Sequence, residues 1–79
     1  MDREFAILIL KACYRASREM GEVGVSVEEF SPNEDGARIK MQAGYVIAEI
    51  GKITDAVFAL HPDLESYVED RIVKFGRLS

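Results

Sequence analysis

The single histidine of this 79-residue chain, His61, is followed by Asp63 and Glu65. An imidazole with two carboxylates is a donor set used for divalent metals, and the same groups run acid–base chemistry elsewhere. The spacing works against both uses. Pro62 places the three at a helix start, where they fan out, whereas a metal needs converging ligands with a supporting shell. A simpler role fits them. His61 is a turn residue before proline, and Asp63 and Glu65 complement the positive end of a helix dipole. The single cysteine, Cys13, lies between Ala12 and Ala16 on an apolar arc. A thiol there packs as a small hydrophobe. A nucleophilic thiol needs exposure and a stabilised thiolate, and a Cys13–His61 pair would lack a third, orienting group. Glycine-rich phosphate loops, HExxH, CxxC and GxSxG are all absent. The sequence therefore assigns no catalytic residue, no metal ligand and no cofactor.

Charged clusters are the other residues with chemistry to offer. Lys11, Arg15 and Arg18 recur at i, i+4 and i+7, so on a helix they share one stripe. They could grip an anion or an acidic partner, or pair with Glu4, Glu19 or Glu22. Residues 21–36 carry Glu22, Glu28, Glu29, Glu34 and Asp35 with no base among them. Such a field would suit a basic protein surface, with Glu28 and Glu29 at its centre. The whole chain has 14 acidic and 10 basic side chains, net −4. It lacks the basic excess of a nucleic-acid-binding domain. Three scattered tyrosines, Tyr14, Tyr45 and Tyr67, do not make a base-stacking platform. The longest uninterrupted apolar run, Phe5 to Leu10, falls far short of the ~20 residues of a membrane span. No secretory signal is legible, so the expected compartment is the cytoplasm, which a reduced Cys13 suits.

The elements that must position these groups are helical. Phe5, Leu8, Ile9, Ala12, Cys13, Ala16 and Met20 recur at spacings of three and four, which predicts a helix over about 2–20, stopped by Gly21. Val23, Val25 and Val27 alternate with polar residues and glycine, which predicts an extended acidic connector over 21–31. Ser31, Pro32 and Glu34 read as N-cap, first helical residue and capping-box partner of a long helix over 32–60. Pro62, Asp63 and Glu65 open a third helix over 62–75, ended by Gly76. The fold class is all-α, in one small domain spanning 1–79. A rival reading exists. Residues 37–42 also alternate, so 22–42 would form a β-hairpin in an α+β fold.

The central helix is apolar on two faces. Ile39, Ala43, Val46, Ile50, Ile53 and Val57 form one. Met41, Gly44, Ala48, Gly51 and Asp55, small residues for the most part, form the other. Small residues let a second backbone approach closely. The first helix has its own surplus, with Ile7, Leu10 and Tyr14 turned away from Phe5. With 48% apolar residues in so short a chain, association is the expected route to stability. The sequence thus points to a homodimer or higher assembly through Met41, Gly44, Ala48, Gly51, Asp55, Ile7, Leu10 and Tyr14. The expected function is that of a small acidic interaction module. Two other readings stand beside it. One is a regulatory or inhibitory protein masking a basic surface. The other is a metal-binding protein or enzyme with a site at a subunit interface, using His61, Asp63, Glu65 or Asp55.

Overall fold

The computed structural model describes residues 1–78. It contains three helices: α1 (Arg3–Phe30), α2 (Glu34–Leu60) and α3 (Leu64–Phe75). The fold class is all-α, as the periodicity predicts, and no strand occurs among the described residues. The β-hairpin over 22–42 is not formed. Those residues are the end of α1, a tight turn and the start of α2.

One element differs from the sequence reading. The expected connector over 21–31 is the last third of α1, which runs unbroken through Gly21 to Phe30. Tertiary packing overrides the local signals. Val23 and Val27, one turn apart, are half-buried, while Val25 stays exposed. Gly24 is buried, and a Cβ added there would stand 3.6 Å from the Lys40 stem of α2. A glycine that reads as a breaker thus serves close helix approach. Gly21 does not take the left-handed conformation of a helix stop. Gly76, at φ 75°, does so at the end of α3, where its amide donates to the Ile72 carbonyl.

The caps also shift. Asp2 caps α1, its carboxylate accepting from the Phe5 amide at 3.0 Å. The cap of α2 is Asn33 and not Ser31: Asn33 Oδ1 accepts from the Gly36 amide at 3.0 Å. Ser31 instead ends α1, its amide donating to the Val27 carbonyl, and its hydroxyl donates to Asn33 Oδ1. Helix α3 begins at Leu64, two residues later than its proline suggests, with Asp63 in the cap position. His61 closes α2, its amide donating to the Val57 carbonyl.

With 28 and 27 residues, α1 and α2 are equal rods. They form an antiparallel hairpin, and the molecule is 44 Å long. The short α3 docks across the open end. There Ala6, Leu10, Val57, Leu64, Val68 and Leu78 form the buried core, flanked by Ile7, Ile9, Tyr14, Phe58 and Tyr67. Two polar ties fix α3 to the start of α1. Arg3 pairs with Asp63 at 3.0 Å, and the His61 Nε2–H donates to the Met1 carbonyl at 2.8 Å.

Candidate functional site

The buried residues of each long helix mark the line facing its neighbour. On α1 that line is Ala6, Leu10, Cys13 and Gly24; on α2 it is Gly36, Ala43 and Val57. At 100° per residue, Phe5, Ile9, Ala12, Ala16, Val23 and Phe30 lie roughly 100° to one side of the α1 line. Ile39, Val46, Ile53 and Leu60 lie roughly 60° to the same rotational side of the α2 line. Two antiparallel helices rotated in the same sense turn these strips to one side of the hairpin. The opposite sense leads to the side that α3 covers, through Ile7, Tyr14 and Phe58.

One broad side of the hairpin is therefore an open apolar strip along its full length. Phe5, Phe30, Ile39, Val46, Ile53 and Leu60 are 45–80% exposed. The contact line of α2 runs along one edge of its large aliphatic face, through Ala43 and Val57, so Ile39, Val46 and Ile53 on the other edge stay in water. From Ile39 to Leu60 on α2 no charged side chain interrupts the strip, and Asp35, paired with Arg38, stands at its turn end. Glu19, next to Arg15, borders it on α1, and Glu49 borders it on α2, where it pairs with Lys52 at 2.8 Å.

The residues singled out in the sequence separate into three groups. Leu10 is fully buried, and Ile7 and Tyr14 pack beneath α3. That arc of α1 is consumed inside the chain, because α3 reaches it. Met41, Gly44, Ala48 and Asp55 are exposed and Gly51 is half-exposed. A Cβ at Gly44 or Gly51 would meet nothing within 4 Å, so the small-residue seam is open, on the side that carries α3. Thr54 turns its hydroxyl inward, donating to the Gly51 carbonyl at 2.9 Å.

The third group is polar. His61, Asp63 and Glu65 do not converge. His61 and Asp63 are engaged with Met1 and Arg3, and Glu65 is exposed. The Arg3 guanidinium beside Asp63 holds its carboxyl below the usual carboxylate range. Among the described residues no three His, Cys, Asp or Glu side chains are placed to hold a metal ion. Cys13 is buried, and burial pushes its thiol up. That favours the protonated form, which is a poor nucleophile. Burial likewise raises the Tyr14 phenol, helped by Cys13, Glu65 and Glu69. Glu28 pairs with Lys40 across the hairpin, whereas Glu29 is exposed beside the turn. Among the described residues no helix is long and apolar enough to cross a membrane.

The sequence reading missed the paired strips. Ile39, Val46 and Ile53 belong to the large-aliphatic face of the central helix, and Phe30 falls in the expected connector over 21–31. The heptad recurrence of Ile39, Val46, Ile53 and Leu60 was the available signal. No family model, curated protein or solved structure matches this chain.

Proposed function

We propose that the protein is a homodimeric interaction module whose open strip packs on the same strip of a second copy, making a four-helix bundle with α3 on the outside. The observation that carries this is the open apolar side shared by α1 and α2. Side chains of this size offer roughly 150–200 Å2 each when fully exposed, so the six largest leave roughly 600 Å2 wet. That is the upper end for the largest apolar patch of a monomer. A standard interface takes about 800 Å2 from each partner, and the half-buried Ile9, Ala16 and Val23 with the polar rim supply the remainder. Two small layers become the four-helix arrangement in which such strips are ordinarily buried. The small-residue seam is the lesser candidate. It offers little apolar area, and α3 stands on the same side.

Charge selects between the two possible two-fold arrangements. With the hairpin turns at the same end, α1 lies on α2 of the second copy, and full overlap sets Glu19 against the other Glu49. With the turns at opposite ends, α1 lies on its own copy, and Glu19 meets Arg15 of the second copy reciprocally. Glu49 and Lys52 cross in the same way. Like charges at a rim disfavour the first arrangement and opposite charges favour the second. The dimer therefore has its turns at opposite ends.

Sedimentation equilibrium at high micromolar concentration tests the association. The expected mass is that of a dimer, reduced to a monomer by Ile53→Glu, which retains the helix. A monomeric wild type overturns the proposal. Spin labels at Pro32→Cys in a Cys13→Ala background test the arrangement. Turns at opposite ends place the labels about 40 Å apart, and turns at one end bring them within about 20 Å. Association that is abolished by salt yet indifferent to Ile53→Glu would favour the acidic-surface reading through Glu22 and Glu29.

A further inference from the structure

Four ion pairs join Arg3 to Asp63, Arg38 to Asp35, Lys40 to Glu28 and Lys52 to Glu49. The chain has 10 basic side chains, so six remain: Lys11, Arg15, Arg18, Arg71, Lys74 and Arg77. Among the described residues none of these six lies within ion-pair distance of a carboxylate. Four of them gather at one place. Helix α3 runs alongside the first half of α1, and its C-terminal end brings Arg71 and Arg77 to Lys11 and Arg18.

The junction is a built cleft. Gly76 turns the chain with its positive φ, Leu78 buries against the core, and Arg77 stands between two hollows. One, of about 370 Å3, is lined by Lys11, Arg71, Phe75, Arg77 and Leu78. The other, of about 180 Å3, is lined by Tyr14, Arg18, Ile72 and Arg77. Arg71 lies against two aromatic rings there. Its guanidinium carbon lies 5.0 Å from the Phe75 ring centre and 5.8 Å from that of Tyr67. Its Nε is buried with no hydrogen-bond partner. A buried donor left without an acceptor is costly, and gathering like charges adds a separate cost. An anion in the cleft would relieve the second, by pairing with the gathered cations.

We propose that this cleft binds a phosphate-bearing anion. Three cations, one of them a guanidinium fork set against aromatic rings, line a space larger than one carboxylate needs. Phosphate oxygens accept from several such donors at once. The same chemistry is carried by a soluble phosphate ester and by the phosphorylated headgroup of a lipid. The cleft is on the α3 side, away from the open strip, so this site does not depend on the dimer.

Inorganic pyrophosphate, titrated at low salt and followed by backbone amide shifts, is the first probe. Saturable shifts confined to Lys11, Arg71 and the 76–78 turn are expected. Lys11→Gln and Arg77→Gln, both remote from the core contacts, should each weaken binding about tenfold. Sedimentation with phosphatidylcholine vesicles containing phosphatidic acid is the second probe. Capture lost in Lys11→Gln assigns a lipid headgroup, and pyrophosphate binding without capture assigns a soluble ester; either supports the cleft. Absence of saturable binding to both probes overturns the proposal. So does binding that neither substitution changes, since the two variants keep the fold and remove only charge.

Discussion

Gly36→Ala is the sharpest perturbation of this fold. The residue is buried in the first turn of α2, directly under the hairpin turn. A Cβ there would stand 1.8 Å from the Ser31 carbonyl oxygen and 2.8 Å from Val27 Cγ1. Backbone cannot yield as a side-chain tip does, so the turn itself must move. Moving it strains the bond from the Asn33 amide to the Ser31 carbonyl and the Asn33 cap on the Gly36 amide. Loss of a cap costs about 1 kcal/mol and overpacking about 1–3 kcal/mol. The better helix propensity of alanine returns about 1 kcal/mol. The net loss expected is about 2 kcal/mol, which at a urea slope near 1 kcal/mol/M lowers the midpoint by about 2 M. The assay is urea unfolding followed by far-ultraviolet circular dichroism at fixed protein concentration. Gly44→Ala and Gly51→Ala are the controls, because nothing stands within 4 Å of either added Cβ. Each should gain about 0.5–1 kcal/mol from propensity alone. If Gly36→Ala equals or exceeds the wild type, the tight contact between the turn and α2 is wrong.

Two further outcomes follow from the open end of the hairpin. Leu10 has 0% exposure at the junction of all three helices, so Leu10→Ala should cost about 2–5 kcal/mol, read as a fall in the urea midpoint. An unchanged midpoint would mean that α3 is not docked there. The Asp63 carboxyl titrates below its unfolded value because Arg3 bonds the charged form. Its contribution is therefore present above the unfolded value of about 3.9 and is lost as pH falls through the lower folded value. Asp63→Asn should lower the melting temperature at neutral pH and converge on the wild type in acid. A gap that persists at the acid end would show that the Arg3 pair is not its source.

The sequence revealed helices more readily than it revealed their ends and faces. Apolar spacing from Phe5 to Met20 is continuous, so α1 was legible as far as Gly21. Beyond it, Gly21, Gly24 and alternating valines imitate a connector, and only the approach of Lys40 to Gly24 decides for helix. That approach depends on a residue 16 positions away in the sequence, outside any local pattern. The glycines make the same point. Gly36, Gly44 and Gly51 look alike in the sequence, yet one is sterically required and two stand in open space. The two faces of α2 were legible, but the line along which α1 meets it was not. That line follows one edge of the aliphatic face, through Ala43 and Val57, so neither face is fully consumed. Among the candidate site residues, the trio Lys11, Arg15 and Arg18 was visible at helical spacing. Its complement at Arg71 and Arg77 was not, because α3 alone brings them together.

The uneven distribution of buried side chains would tie folding to the proposed association. Leu10, Val57, Leu64, Val68 and Leu78, the larger buried aliphatics, all lie at the end that α3 closes. At the turn end the fully inward positions of the hairpin are Gly24, Gly36 and Ala43. Those residues allow close helix contact but remove little apolar area from water, so the turn half of a lone chain is thinly held. Of the large apolar side chains in this half, Phe30, Ile39 and Val46 stand on the open strip. A second copy laid on with its turn at the opposite end would set the thin end of each hairpin beside the α3-closed end of the other. Each chain would then lend stability where its partner has least, and the gain would grow with protein concentration as mass action requires. The arrangement that resolves the rim charges is thus also the one that balances the cores.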